Sequence, residues 1–88
     1  MHKLIILPAV DKIFKKLAKK DKSQLITISK KIEHIRQNPD LGKPLHFPLQ
    51  NLKRVHIQKS FVLIYDVQEK EKTITIRAYD HHDNIYKK

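Results

Sequence analysis

Three of the six histidines, His46, His56 and His82, are candidates for proton transfer, with Arg54 two residues before His56, Arg77 and Tyr79 shortly before His82, and Tyr86 after it. Imidazole titrates near neutrality and moves protons, guanidinium grips phosphate with paired N–H donors, and an aromatic ring stacks a base. Holding a phosphate, stacking a base and transferring protons need these groups on one surface. The elements that carry them decide whether they meet.

Residues 54–58 and 61–67 predict a two-strand hairpin at the centre of a sheet. Side chains alternate along a strand, so Val55 and Ile57 point one way while Arg54, His56 and Gln58 point the other. The second strand is apolar at nearly every position, which suits a central strand covered on one face and partly on the other. Upstream, the apolar run 3–7 ends at Pro8, and a strand passes there into a helix. Val10, Ile13, Phe14 and Leu17 recur at helical spacing, with Lys12, Lys15, Lys16, Lys19 and Lys20 on a solvated face. Asp21 and Gln24 have the spacing of a capping box, and Leu25, Ile28, Ile32 and Ile35 mark the stripe of a second helix that stops at Asn38-Pro39. His34, beside that stripe, is an ordinary surface residue. Residues 40–50, with Pro44, Pro48 and the only glycine, Gly42, read as a loop. A polar turn at 68–72 leads to a last strand, 73–80, with Ile74, Ile76 and Ala78 inward and Thr75, Arg77 and Tyr79 outward. The tail forms a turn or a single helical turn.

Strand, helix, helix and then three strands describe an α+β fold: one domain, 1–88, with a small antiparallel-rich sheet and two helices on one face. The other face then collects Arg54, His56, Arg77 and Tyr79, with His46 entering from the loop and His82 and Tyr86 from the tail. Nineteen Lys and Arg against nine Asp and Glu give a formal net charge of +10, which points to an anionic partner, nucleic acid first and an acidic protein second. The absence of cysteine excludes disulfides and thiolate metal sites and is compatible with the reducing cytosol. No apolar run approaches the roughly 20 residues of a membrane span, and the start lacks a signal-peptide h-region. Asp80-His81-His82-Asp83 invites a metal reading. Consecutive residues at a strand end point to opposite sides, however, so the two imidazoles are not expected to share an ion, no metal site is assigned, and His81 is left out.

The order of elements, the hairpin Arg54-x-His56-Ile57-x-x-Ser60-Phe61-Val62-Leu63-Ile64-Tyr65 and the closing Asp80-His81-His82-Asp83-Asn84-Ile85-Tyr86 resemble the RelE/ParE superfamily of toxin–antitoxin toxins, and within it the histidine-bearing branch typified by the YafQ toxin. Ser60 stands where that branch has an acid, and Val62 where RelE has an arginine. The resemblance implies a ribosome-dependent endoribonuclease that cuts mRNA without metal or other cofactor and is held inactive by an acidic antitoxin. It implies catalytic roles for His46, His56, His82 and Tyr86, and an aromatic at Phe61 on the central strand. Lys53, Arg54, Lys59 and Arg77 are expected to hold RNA phosphates. Two alternatives stay open: a ParE-like poison of DNA gyrase, and a catalytically inactive binding module of the same fold.

Overall fold

A computed structural model describes residues 2–46 and 51–85. Its sheet has five strands in the order β1-β5-β4-β3-β2. These are β1 (Lys3–Ile6), β2 (Lys43–Pro44), β3 (Leu52–Ile57), β4 (Phe61–Gln68) and β5 (Thr73–His81), with β1 parallel to β5 and every other pair antiparallel. Two long helices, α1 (Pro8–Lys20) and α2 (Lys22–Gln37), join β1 to β2, and a short α3 (His82–Ile85) follows β5. The α+β reading, with two helices on one face, holds.

Local chemistry sets the boundaries. Pro8 occupies the first turn of α1, where its missing N–H would have no partner anyway. Asp21 both ends α1 and starts α2: its N–H donates to the Leu17 carbonyl, and its carboxylate accepts from the Gln24 backbone N–H at 3.1 Å. The reciprocal half of the expected capping box is absent, because Leu17 already holds the Asp21 N–H. The Gln24 side chain donates instead to the Asp21 carboxylate, and its Oε1 accepts from the buried hydroxyl of Tyr79 on β5. This relay fastens the helical turn to the sheet.

Val10 and Phe14 of α1 and Ile28, Ile32 and Ile35 of α2 are buried against Val55, Ile57, Leu63, Tyr65, Ile74 and Ile76. Ile13, expected in the apolar stripe, lies at the edge of the contact and is 37% exposed. The lysines of α1 and His34 are exposed as expected. The central strand β4 is covered on both faces, since Val62 and Ile64, which point away from the helices, are 0% and 5% exposed.

Two elements depart from the sequence reading. The expected loop holds a 3-10 turn at Pro39–Leu41 and the two-residue β2, paired Lys43 to Arg54 and Pro44 to Lys53. Proline is tolerated there because β2 is an edge strand that does not need every N–H. Gly42 lies against Tyr65: its N–H donates to the phenol oxygen at 2.8 Å, and a Cβ would fall 2.7 Å from that oxygen and 2.8 Å from the Arg54 carbonyl. The second departure is a bulge. Ile64 pairs with Ala78 but Tyr65 pairs with Ile76, so Arg77 is an extra residue on β5. One inserted residue reverses the alternation that follows, placing Tyr79 in the core and Ala78 on the opposite face, contrary to expectation.

Candidate functional site

Cross-strand register assigns the faces. Lys43 opposite Arg54, Arg54 opposite Ile64, and His56 opposite Val62 put the cations and the imidazole on the side away from the helices. Pairing with β2 stops at Arg54, which leaves the outer edge of β3 without a β2 partner from Val55 onward. At that edge lies a cleft of about 270 Å³ lined by Lys31, Leu41, Lys43, Arg54, Val55 and His56. Three cations and one imidazole around a partly apolar floor can take a phosphate together with part of a sugar or base. Lys31 was missed in the sequence. Its position three residues after Ile28 and four before Ile35 puts it at the border of the buried stripe, which is the signal that could have found it.

A second cluster closes β5. The His82 N–H donates to the Ser60 carbonyl at 2.8 Å, anchoring the start of α3 to the β3–β4 turn. Asp80 accepts from the His81 N–H at 2.7 Å and from the Asn84 side chain at 3.1 Å. The imidazoles of His81 and His82 lie 4.7 Å apart, centre to centre. Asp83 presents one oxygen 3.0 Å from His82 Nδ1 and the other 3.6 Å from His81 Nδ1. The expectation that these histidines diverge is therefore corrected. The alternation of a strand ends at His81 and a helical step of about 100° begins at His82, turning both rings to one side.

The other sequence-derived residues separate. Phe61 faces the helix side, stacked on Tyr79 at 5.6 Å and edge-on to His81 at 5.5 Å, so it forms the rim of the core and does not join Arg54 and His56. Arg77 holds the buried carboxylate of Asp66, with Nε at 2.7 Å and Nη2 at 2.6 Å. Lys53 also leans to the helix side, with Nζ 3.8 Å from Asp40. Lys59 is exposed in the β3–β4 turn, where it and Gln58 adopt φ of 71° and 51°. His46 is exposed after β2, and Tyr86 lies outside the described residues. Arg54 and His56 share a surface as expected, and Arg77 lies on that same side of the sheet, where it is taken up by Asp66. His56 and Asp80 both pair with Val62 on β4, so β4 separates the His56 backbone from that of β5 by two strand spacings, about 10 Å.

A small sheet carrying two helices on one face is a fold shared with solved toxins such as RelE of E. coli. Residues 4–86 match the family model for the ParE toxin of the type II toxin–antitoxin system parDE, and the chain belongs to the RelE/ParE superfamily. It is a toxin of the type II class. RelE4 of Methanocaldococcus jannaschii is 53% identical over 88 residues, covering 100% of this chain and 94% of that protein. The metal-bound toxin from Helicobacter pylori superposes with a TM-score of 0.82 at 20% identity, over 98% of this chain and 100% of the other. The YoeB–YefM complex of Staphylococcus aureus gives 0.79 at 18% identity, over 93% and 98%. At such identities the solved structures establish the fold alone. Among the described residues, no helix is long and apolar enough to cross a membrane.

Proposed function

We propose that the chain is an endoribonuclease that cuts mRNA on the ribosome by metal-independent acid–base catalysis. The observation that carries this reading is the cleft at the β3 edge, where Lys31, Lys43 and Arg54 surround His56. Cleavage needs the 2′-hydroxyl deprotonated, the charge on phosphorus stabilised and the departing 5′-oxygen protonated; the first requirement confines activity to RNA. Arg54 and the two lysines hold the phosphate. His56 and His82 exchange the protons from either side of β4, with His46 in support, and Tyr86 fixes a base. A single proton-transfer group contributes about 10²- to 10⁴-fold in rate. His56→Ala and His82→Ala are therefore each expected to lose cleavage by that order in a translation assay, with ribosome binding retained and no response to a chelator. Near-normal cleavage by the double variant would exclude the mechanism.

The match to the ParE model favours one second reading, a poison of DNA gyrase that binds without catalysis. Supercoiling by gyrase in the presence of the chain separates the two: inhibited supercoiling with intact mRNA would replace the nuclease reading. In either case the partner that silences the toxin is an acidic antitoxin segment. It packs on the helices or the sheet edge, where a largely apolar groove of about 210 Å³ is lined by Leu4 and Ile6 of β1 with Phe14, Leu25, Ile28 and Ile32, and also by Ser29 and Glu33.

A further inference from the structure

We propose that His81, His82 and Asp83 form a site for a divalent transition-metal ion of the zinc or copper class, and that its occupation inhibits the toxin. One donor atom from each of these residues lies within 4.8 Å of the other two. Around a tetrahedral ion with metal–ligand distances of about 2.0–2.1 Å, donors sit roughly 3.3 Å apart. The Asp83 oxygens are already at that spacing, 3.0 Å from His82 Nδ1 and 3.6 Å from His81 Nδ1. The two imidazoles, with side chains 39% and 42% exposed, need only a small rotation to close on an ion while one coordination position stays open to solvent. Two imidazoles and one carboxylate suit zinc, copper or nickel, whereas magnesium and calcium prefer all-oxygen shells.

The frame is already built. The backbone of His81 is fixed by Asp80, that of His82 by Ser60, and Asn84 closes the turn onto Asp80. His81 Nδ1 accepts the Asp83 backbone N–H at 3.1 Å, which holds this ring beside Asp83. Binding gives up this one hydrogen bond and needs a ring nitrogen of each histidine free of its proton.

The inhibitory role rests on the proposed nuclease reading, because an ion held by His82 removes that ring from proton transfer; the binding site itself does not. The test is calorimetric titration of the full chain with zinc chloride and, separately, copper chloride, with magnesium chloride as a control. One equivalent of zinc or copper is expected to bind and magnesium is not. His81→Ala and Asp83→Asn should each weaken binding by about tenfold or more, since loss of a ligand exceeds the effect of losing an outer partner. His34→Ala, on the far surface of α2, should bind as the parent does, and circular dichroism of each variant reports that it is folded. Equal affinity of the folded His81→Ala and Asp83→Asn variants with the parent would overturn the site. In the cleavage assay, zinc should inhibit the parent and spare His81→Ala, and a chelator should restore the parent. Equal inhibition of both would overturn the regulatory role, while a chain that binds zinc at these residues yet cuts no mRNA would refute the nuclease reading and leave the site standing.

Discussion

Arg77 shows how a neighbouring carboxylate changes what a side chain can do. Alternation puts it with Arg54 as a phosphate ligand, and it does lie on that side of the sheet, but there it is held by Asp66, whose side chain is 7% exposed. Among the described residues Asp66 Oδ1 has no hydrogen-bond partner, so the contacts from Arg77 to Oδ2 are what offsets the burial of a carboxylate. Arg77→Ala is expected to destabilise the fold by about 2–3 kcal/mol, the penalty of leaving a buried acceptor uncompensated, and the double variant Arg77→Ala/Asp66→Val should recover most of it. Thermal unfolding of the single and double variants measures this. Recovery absent from the double variant would mean that Arg77 acts through something other than Asp66. At this scale the sequence was readable where the strand was regular. Arg54 and His56 precede any irregularity and stand where alternation puts them. Tyr79 does not, because nothing in the local composition of 73–80 marks a bulge: a bulge is set by the partner strand, and the residue it inserts is an ordinary arginine.

The helices and the central hairpin were legible because their signals are local and physical: Pro8 at a helix start, an Asp21 cap, a helix halted before Pro39, and alternation into an apolar strand. The strand β2 was not, since two residues that include a proline carry no periodicity, and only their pairing with Arg54 and Lys53 makes them a strand. Two buried hydroxyls tie these elements together. Tyr79 donates to Gln24 on α2, and Tyr65 donates to the Pro39 carbonyl at 2.8 Å while accepting from Gly42. Burial pushes both phenols above their ordinary range, with the Asp21 carboxylate adding to the effect on Tyr79. An unfolded tyrosine ionises near about 10, so above that pH the unfolded chain releases protons that the folded chain retains. This contribution to stability is therefore complete below about pH 10 and is lost as the pH rises from there toward the folded values. The melting temperature should fall more steeply above pH 10 in the parent than in Tyr65→Phe/Tyr79→Phe, although the double variant starts lower because it gives up the hydroxyl hydrogen bonds. Parallel curves would show that these phenols do not carry the alkaline response.

Across the whole molecule, a net charge of +10 says that an anion is wanted but not where it sits. The fold resolves this into surfaces with different consequences. Lys12, Lys15, Lys16, Lys19 and Lys20 line the outer side of α1, where Asp11 already lies 3.3 Å from Lys15. Lys31, Lys43 and Arg54 come from α2, β2 and β3 to one cleft beside His56, a convergence that no stretch of sequence contains because it depends on α2 crossing the edge of the sheet. If that cleft holds RNA phosphates, three counterions are released on binding through these residues. For single-stranded RNA the logarithm of affinity falls with the logarithm of salt at about 0.7 per phosphate, so removing three contacts should flatten the slope by about 2. Lys31→Gln/Lys43→Gln/Arg54→Gln is thus expected to bind ribosomes more weakly at low salt and to be far less sensitive to added salt. Lys12→Gln/Lys16→Gln/Lys19→Gln removes the same net charge from α1 and should change the slope little, because the long-range field is screened beyond about 8–10 Å at physiological salt while direct phosphate contacts are not. Ribosome binding measured across a salt series for the two triple variants separates the possibilities. Equal slopes would mean that the positive charge works only as a diffuse field and that the cleft at the β3 edge is not where RNA is held.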